Sequence, residues 1–173
     1  MSSDIQSTFI SAAVASATAI STAAGVGNNA ALVLVGGSPF TLDAARKITI
    51  TSAGDDSGKS FTIVGLDQDG NAATESLVGA DTGVVTSAGY YTSITSITAV
   101  GNPAANVSAG TSNSVAAPIF GGRLRLKGLY AVNTATAGTI TFRETSPTGN
   151  IRMQFATVAS ATTSEYPDVP DDG

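Results

Sequence analysis

The only groups in this chain that recur at spacings able to do chemistry are carboxylates. They fall in pairs at Asp55/Asp56, Asp67/Asp69 and Asp171/Asp172. Glycoside hydrolysis needs two carboxyl groups facing each other across a cleft, with their pKa values pushed apart. Neighbours within a Gly- and Ser-rich turn do not show that, and turns favour Asp because its side chain caps the local backbone. The stretch GLDQDGNAATE (65–75) has a second reading, since Asp67, Asp69, Asn71 and Glu75 could ligate calcium. An EF-hand loop runs D-x-[DN]-x-[DN]-G with a later bidentate acid. Here Gly70 follows Asp69 directly, so the register is wrong, and no helices flank the loop. Asp69-Gly70-Asn71 between two strand-like runs reads more strongly as a hairpin turn. Asp67 and Asp69 stand as weak calcium candidates, with Asp55 and Asp56 as a second pair. No cofactor is expected.

The chain has no His and no Cys. That removes the commonest general base, the commonest zinc ligand, every Ser-His or Cys-His arrangement and all disulfides. Carboxylate-only and Ser-Lys mechanisms remain, and the chain is read as a non-enzyme. The Gly-rich stretches GVGNNA (25–30) and GGSP (36–39) match neither a phosphate loop nor a dinucleotide fingerprint. Tyr90 and Tyr91 could form a sugar-binding platform; the commoner arrangement makes one core and the other interface. Arg46 and Lys47, with Asp43, read as an ordinary surface patch.

Charged residues are 12% of the chain, with a net charge of −5. An acidic balance argues against nucleic-acid binding, which wants a basic patch. So few charges leave little to solvate a surface, which fits either burial by neighbouring subunits or a Ser/Thr-rich exterior. Aromatics are 6% and Trp is absent, so the core is thin and association is expected to supply part of the stability. No run of about 20 apolar residues exists to cross a membrane as a helix. The N-terminal MSSDIQSTFISAAVASATAIS has the look of a signal peptide. It lacks a basic n-region, carries Asp4 and is broken by Ser and Thr, so it is not read as one.

The elements are nearly all strands. Residues 1–29 form an Ala/Ser/Thr-rich arm, extended or weakly helical, with Ile5, Phe9 and Ile10 as its apolar contacts. ALVLV (31–35) is a short buried strand or a strand edge. KITIT, SFTIVGL, ATESLVG and GVVTSAGYYTSITSITAV alternate with period two, as half-buried strands do. The slip between Ile94 and Ile97 predicts a bulge near Ser96. TSNSVAAP (111–118) reads as a linker. Beyond it, Arg123, Arg125 and Lys127 share one strand face near Phe120. That face is either a docking surface for an acidic partner or a solvated face that discourages edge pairing. TAGTITFRETSPTGNIRMQFAT (136–157) gives two more strands, and an acidic tail follows. The fold class is all-β, with antiparallel β-sandwich or barrel-like modules. The organisation read is an arm over 1–29, a first module over 30–112 and a smaller second module over 113–173.

The run from ITITSAGDDSG through FTIVGLDQDGN, TES and GVVTS to TSITSITAV (48–100) resembles a recurrent β-module of tailed-phage virion proteins. The resemblance implies a structural role without chemistry. Its foremost form is a capsid decoration (cement) protein on the capsid surface of the virion. Such a protein binds the major capsid protein in many copies, itself a homo-oligomer with a trimer at local threefold positions as one arrangement, and takes no nucleic-acid or membrane partner. On that reading Ile5, Phe9, Ile10, Phe120, Arg123, Arg125 and Lys127 are the contact candidates. Related modules in tail proteins keep open a nozzle, adaptor or fibre-base ring subunit. A carbohydrate-binding module displayed on the particle is a third reading, and a carboxylate glycosidase the last.

Overall fold

A computed structural model describes residues 14–117, 128–132, 136–143 and 149–165. The described residues are all-β: every element is a strand and every pairing between strands is antiparallel. The chain divides into two units, Met1–Ile119 and Phe120–Gly173.

The first unit contains β1 (Ser16–Ala24), β2 (Phe40–Asp55), β3 (Ser60–Asp67), β4 (Ala72–Val78), β5 (Asp81–Thr86), β6 (Tyr91–Val100) and β7 (Val107–Ala116). They run in the order β1-β7-β2-β6-β3-β4, with β5 also on β2. At 16 residues, β2 is long enough to serve two half-sheets. Its start pairs with β6, through Phe40↔Ile94 and Thr41↔Ser93. Its end pairs with β5 on one side and β7 on the other. One half is therefore β4-β3-β6 with the start of β2, and the other is β5, the end of β2, β7 and β1. Their inner faces meet in one apolar cluster, giving a sandwich-like unit.

The period-two pattern sets which side chains enter that cluster. From KITIT, Ile48 and Ile50 are fully buried; across β3 and β6, so are Phe61, Ile63, Ile94 and Ile97. Ile63 and Ile97 are direct cross-strand partners, and Phe61 lies between Leu77 and Ala99. The slip near Ser96 is a bulge: Val64 pairs with Ser96 but Gly65 with Ile94, leaving Thr95 as the extra residue. Segment 31–35 closes the side of the sandwich as a strap. Its Ala31 bridges Thr98, Leu32 N–H donates to the Ile97 carbonyl, and Val35 N–H donates to the Ile20 carbonyl. Leu32 and Leu34 point in, while Val33 and Val35 point out.

Two stretches differ from their sequence reading. Ser16–Ala24 lies in the sheet as an edge strand instead of standing off as an arm. Ile20 is its one large apolar side chain, wholly buried, and burying an Ile is worth about 1.5–3 kcal/mol. The strand sits unusually close to β7 because position 110 is glycine: a Cβ there would overlap the Ser16 carbonyl and the Ala17 backbone. The presumed linker TSNSVAAP instead continues β7 as far as Ala116, with Val115 opposite Arg46. Backbone pairing needs no large side chains, so a run of small residues does not end the strand.

The second unit contains β8 (Leu129–Val132), β9 (Gly138–Arg143), β10 (Ile151–Thr157) and β11 (Thr162–Glu165). They form two ribbons, β10-β9 and β11-β8. The β9–β10 ribbon is amphipathic. Phe155 opposes Ile140 and Met153 opposes Phe142, while Thr141 and Gln154 occupy the other face. The Phe142 and Phe155 rings meet edge to face at 6.1 Å and 88°, a favourable aromatic geometry.

Removing the centre of the first unit tests this account. Ile50→Ala is expected to cost about 2–5 kcal/mol in urea unfolding, by lost burial plus the cavity left behind. A loss of under about 1 kcal/mol would mean that the two half-sheets do not close on Ile50.

Candidate interaction surface

The acidic pairs resolve into local structure. The stretch 67–72 is the turn joining β3 to β4, as the hairpin reading expects. Gly70 takes a positive φ of 81°, a conformation glycine adopts without strain. Asp67 caps the turn: its Oδ1 accepts the N–H groups of Asp69 at 2.9 Å and Asn71 at 2.8 Å. Its carboxyl is held below the ordinary value of 3.8, chiefly by the Asn71 N–H. Asp69 Oδ2 accepts from the Gln68 amide at 2.7 Å. Asp55 and Asp56 diverge. Asp55 is exposed, and its Oδ1 accepts both the Ser57 N–H (3.0 Å) and the Ser57 hydroxyl (2.6 Å). Asp56 is buried, and its Oδ1 accepts the Ala104 N–H at 2.8 Å, tying the 101–106 loop to the start of the β2–β3 turn. Among the described residues, no group of three or more His, Cys, Asp or Glu side chains is placed to hold a metal.

Two charged residues matter more than their sequence reading suggests. Arg46, read as surface, is 2% exposed. Its Nη1 donates to the Thr111 hydroxyl at 3.0 Å and to the carbonyls of Val14 (3.3 Å) and Ser112 (3.4 Å). Its Nε forms an ion pair with Asp43 Oδ1 at 3.0 Å, off the N–H axis. Arg46 thus pins the entry to β1 against β7. Strand alternation carried the signal, since residue 46 shares a face with Ile48 and Ile50.

Glu75, grouped with the calcium candidates, reaches from β4 across to the β5–β6 loop instead. Its Oε1 accepts the Ala88 N–H at 2.7 Å, and its Oε2 accepts the Gly89 N–H at 3.1 Å and the Tyr91 hydroxyl at 3.3 Å. Burial first, and the Glu75 charge second, raise the Tyr91 phenol well above its ordinary value of 10.0. Tyr91 is therefore a core residue, and Tyr90 lies under the Lys47 ammonium, 5.3 Å from its ring centroid. The pair does not form a flat, open platform for a sugar.

Among the described residues, one open sheet surface is the outer face of β4, β3 and β6. The register sets its rows: Val78, Ser60 and Val100; then Ser76, Thr62 and Thr98; then Thr74, Val64 and Ser96. No side chain in these rows is charged. A shallow hollow of about 430 Å³ opens at the Val78–Val100 end, with Lys59 among its walls. Three strands about 4.8 Å apart, paired over the 7 residues of β4 at about 3.4 Å each, make a patch of roughly 350 Å². The other contact candidates, Ile5, Phe9, Ile10, Phe120, Arg123, Arg125 and Lys127, lie outside the described residues, as does the Asp171/Asp172 pair.

Comparison with protein-family models, with curated proteins and with solved structures finds no match to this chain.

Two substitutions test the ties described here. Glu75→Gln sets a donor against the loop amides and is expected to cost about 1–3 kcal/mol in urea unfolding. The Tyr91 phenol should then titrate lower than in the wild type, yet still above 10.0, because burial persists; an unchanged titration would break the link between them. For Asp67, a depressed folded pKa means stabilisation that is present above 3.8 and lost as pH falls through the folded value. The gap in Tm between wild type and Asp67→Ala should therefore narrow from neutral pH to well below 3.8. A gap that stays constant would show that the carboxylate does not act through these hydrogen bonds.

Proposed function

We propose that the chain is a non-enzymatic structural protein of a phage virion, a decoration or cement subunit bound in many copies to the major capsid protein. The observation that carries this reading is the charge-free Ser/Thr/Val face of β3, β4 and β6, which belongs to the stretch resembling virion β-modules. Desolvating such a face costs little, because it holds hydroxyls that can re-pair and no ions that must be stripped of water. Its area of roughly 350 Å² is under half the ~800 Å² per partner of a standard interface. One such contact is weak; many copies on a lattice of capsomers add up through multivalency. The ties through Arg46, Glu75 and Asp67 support the same reading, since they spend the chain's few charges on rigidity.

The test places charge at the centre of the face. Thr62→Lys should abolish retention on heads built from the cognate major capsid protein. Surface substitutions of this kind leave unfolding within about 0.5 kcal/mol of wild type. Quantitative mass spectrometry of purified particles should find the wild-type chain at a copy number comparable to the capsid protein. A copy number matching one tail ring would move the assignment to the tail, and absence from particles would end the virion reading.

A further inference from the structure

We propose that β1 is an exchangeable strand: the groove it fills on its own chain also accepts β1 of a second copy, linking subunits through their N-terminal segments. This does not depend on the virion reading.

The groove is built for this strand and little else. One wall is the backbone edge of β7, which pairs Thr111 with Ser16, Ala109 with Ser21 and Val107 with Ala24. The other wall is the strap, whose Val35 N–H donates to the Ile20 carbonyl at 2.8 Å. A recess at Gly110 admits the backbone of Ser16 and Ala17, and any side chain at that position would close it. The socket for Ile20 opens into the core, and the Arg46 guanidinium receives the Val14 carbonyl at the entrance. Five separate features thus address one short segment.

The segment itself is loosely held. Only Ile20 and Ser21 of its nine residues are buried, and its register breaks twice, between Ser16 and Ser21 and between Ser21 and Ala24. Gly25 follows it directly and supplies a hinge before the chain is held again by Val26, packed against the core, and by Asn28, whose side chain accepts the Gly101 N–H at 3.0 Å. Every contact made within one chain is reproduced between two, so exchange conserves the interactions. The balance is then set by the hinge and by protein concentration. The occupant is identified by the groove, since the strand that fits it is the one already there.

The chain has no cysteine, so introduced pairs report without background. Ser21 and Ala109 are buried cross-strand partners, and antiparallel partners lie about 4.5–5.5 Å apart at Cα, within the range a disulfide spans. Chains carrying S21C are mixed with chains carrying A109C, concentrated, and oxidised. Exchange predicts disulfide-linked heterodimers whose yield rises with concentration. It also predicts that the double variant S21C/A109C gives both intrachain and interchain bonds. Monomers from the mixture, with purely intrachain closure of the double variant, overturn the proposal. If the cysteines perturb the strand, the unmodified protein decides: a mixture of isotope-labelled and unlabelled chains, co-concentrated to millimolar, is examined for intermolecular contacts between Ser21 and Ala109 by isotope-filtered NMR. Their presence supports exchange, and their absence overturns it.

Discussion

The first unit depends on β2 being continuous. A single 16-residue strand borders β6 at its start, β5 at its end and β7 along one side. Neither half-sheet could be lifted away without breaking it. Ile48 and Ile50 therefore face a core contributed by both halves, and each half excludes water from the other. The strand changes partner where its register with β6 breaks, between Thr41 and Arg46, and there its buried cation sits. A guanidinium shut from water demands acceptors; the entry of β1 and the edge of β7 supply them to Nη1, Nε faces Asp43 as an ion pair, and Nη2 has no hydrogen-bond partner among the described residues. The geometry of the shared strand thus dictates where the N-terminal segment joins the sheet.

Charge in this molecule is scarce, and several of its charged groups act as fasteners. Glu75 holds the β5–β6 loop, Asp56 the 101–106 loop, Asp67 the β3–β4 turn and Arg46 the β1 entry. Glu75, Asp67 and Arg46 each serve two backbone groups and Asp56 serves one, and hydrogen bonds to charged groups are the stronger class. The consequence for the exterior is direct. Acidic side chains that bend back onto their own loops leave the sheet face between them neutral, and a neutral Thr/Val face is suited to packing against another protein.

The strands and turns were legible because their physics is local. KITIT and SFTIVGL alternate with period two, Asp-Gly-Asn turns with the φ that Gly70 shows, and the slip at Ser96 is a bulge. What escaped was pairing at long range. Nothing near Ser16–Ala24 announces that Ile20 has a socket, because the socket is assembled from residues far along the chain. The TSNSVAAP stretch reads as a linker because its residues are small, yet its Thr111 pairs with both Ser16 and Ile48 and its Val115 with Arg46. Arg46 and Glu75 were legible in principle: strand parity places Arg46 with Ile48 and Glu75 with Leu77. Their charge outweighed their parity in the reading. The basic strand and the tip of the arm lie outside the described residues.

The placing of β1 against β7 also orders events at the ribosome. Among the described strands of this unit Ser16–Ala24 comes first in the chain, and its ladder partner, β7, comes last. Hairpins such as β3–β4 can close as they emerge, while β1 waits on the order of 5–20 s at about 5–20 residues per second. Throughout that delay the β7 edge that β1 pairs with does not yet exist, and Ile20 has only part of its socket. Among the described strands of this unit, β1 is therefore the one that spends longest without its ladder.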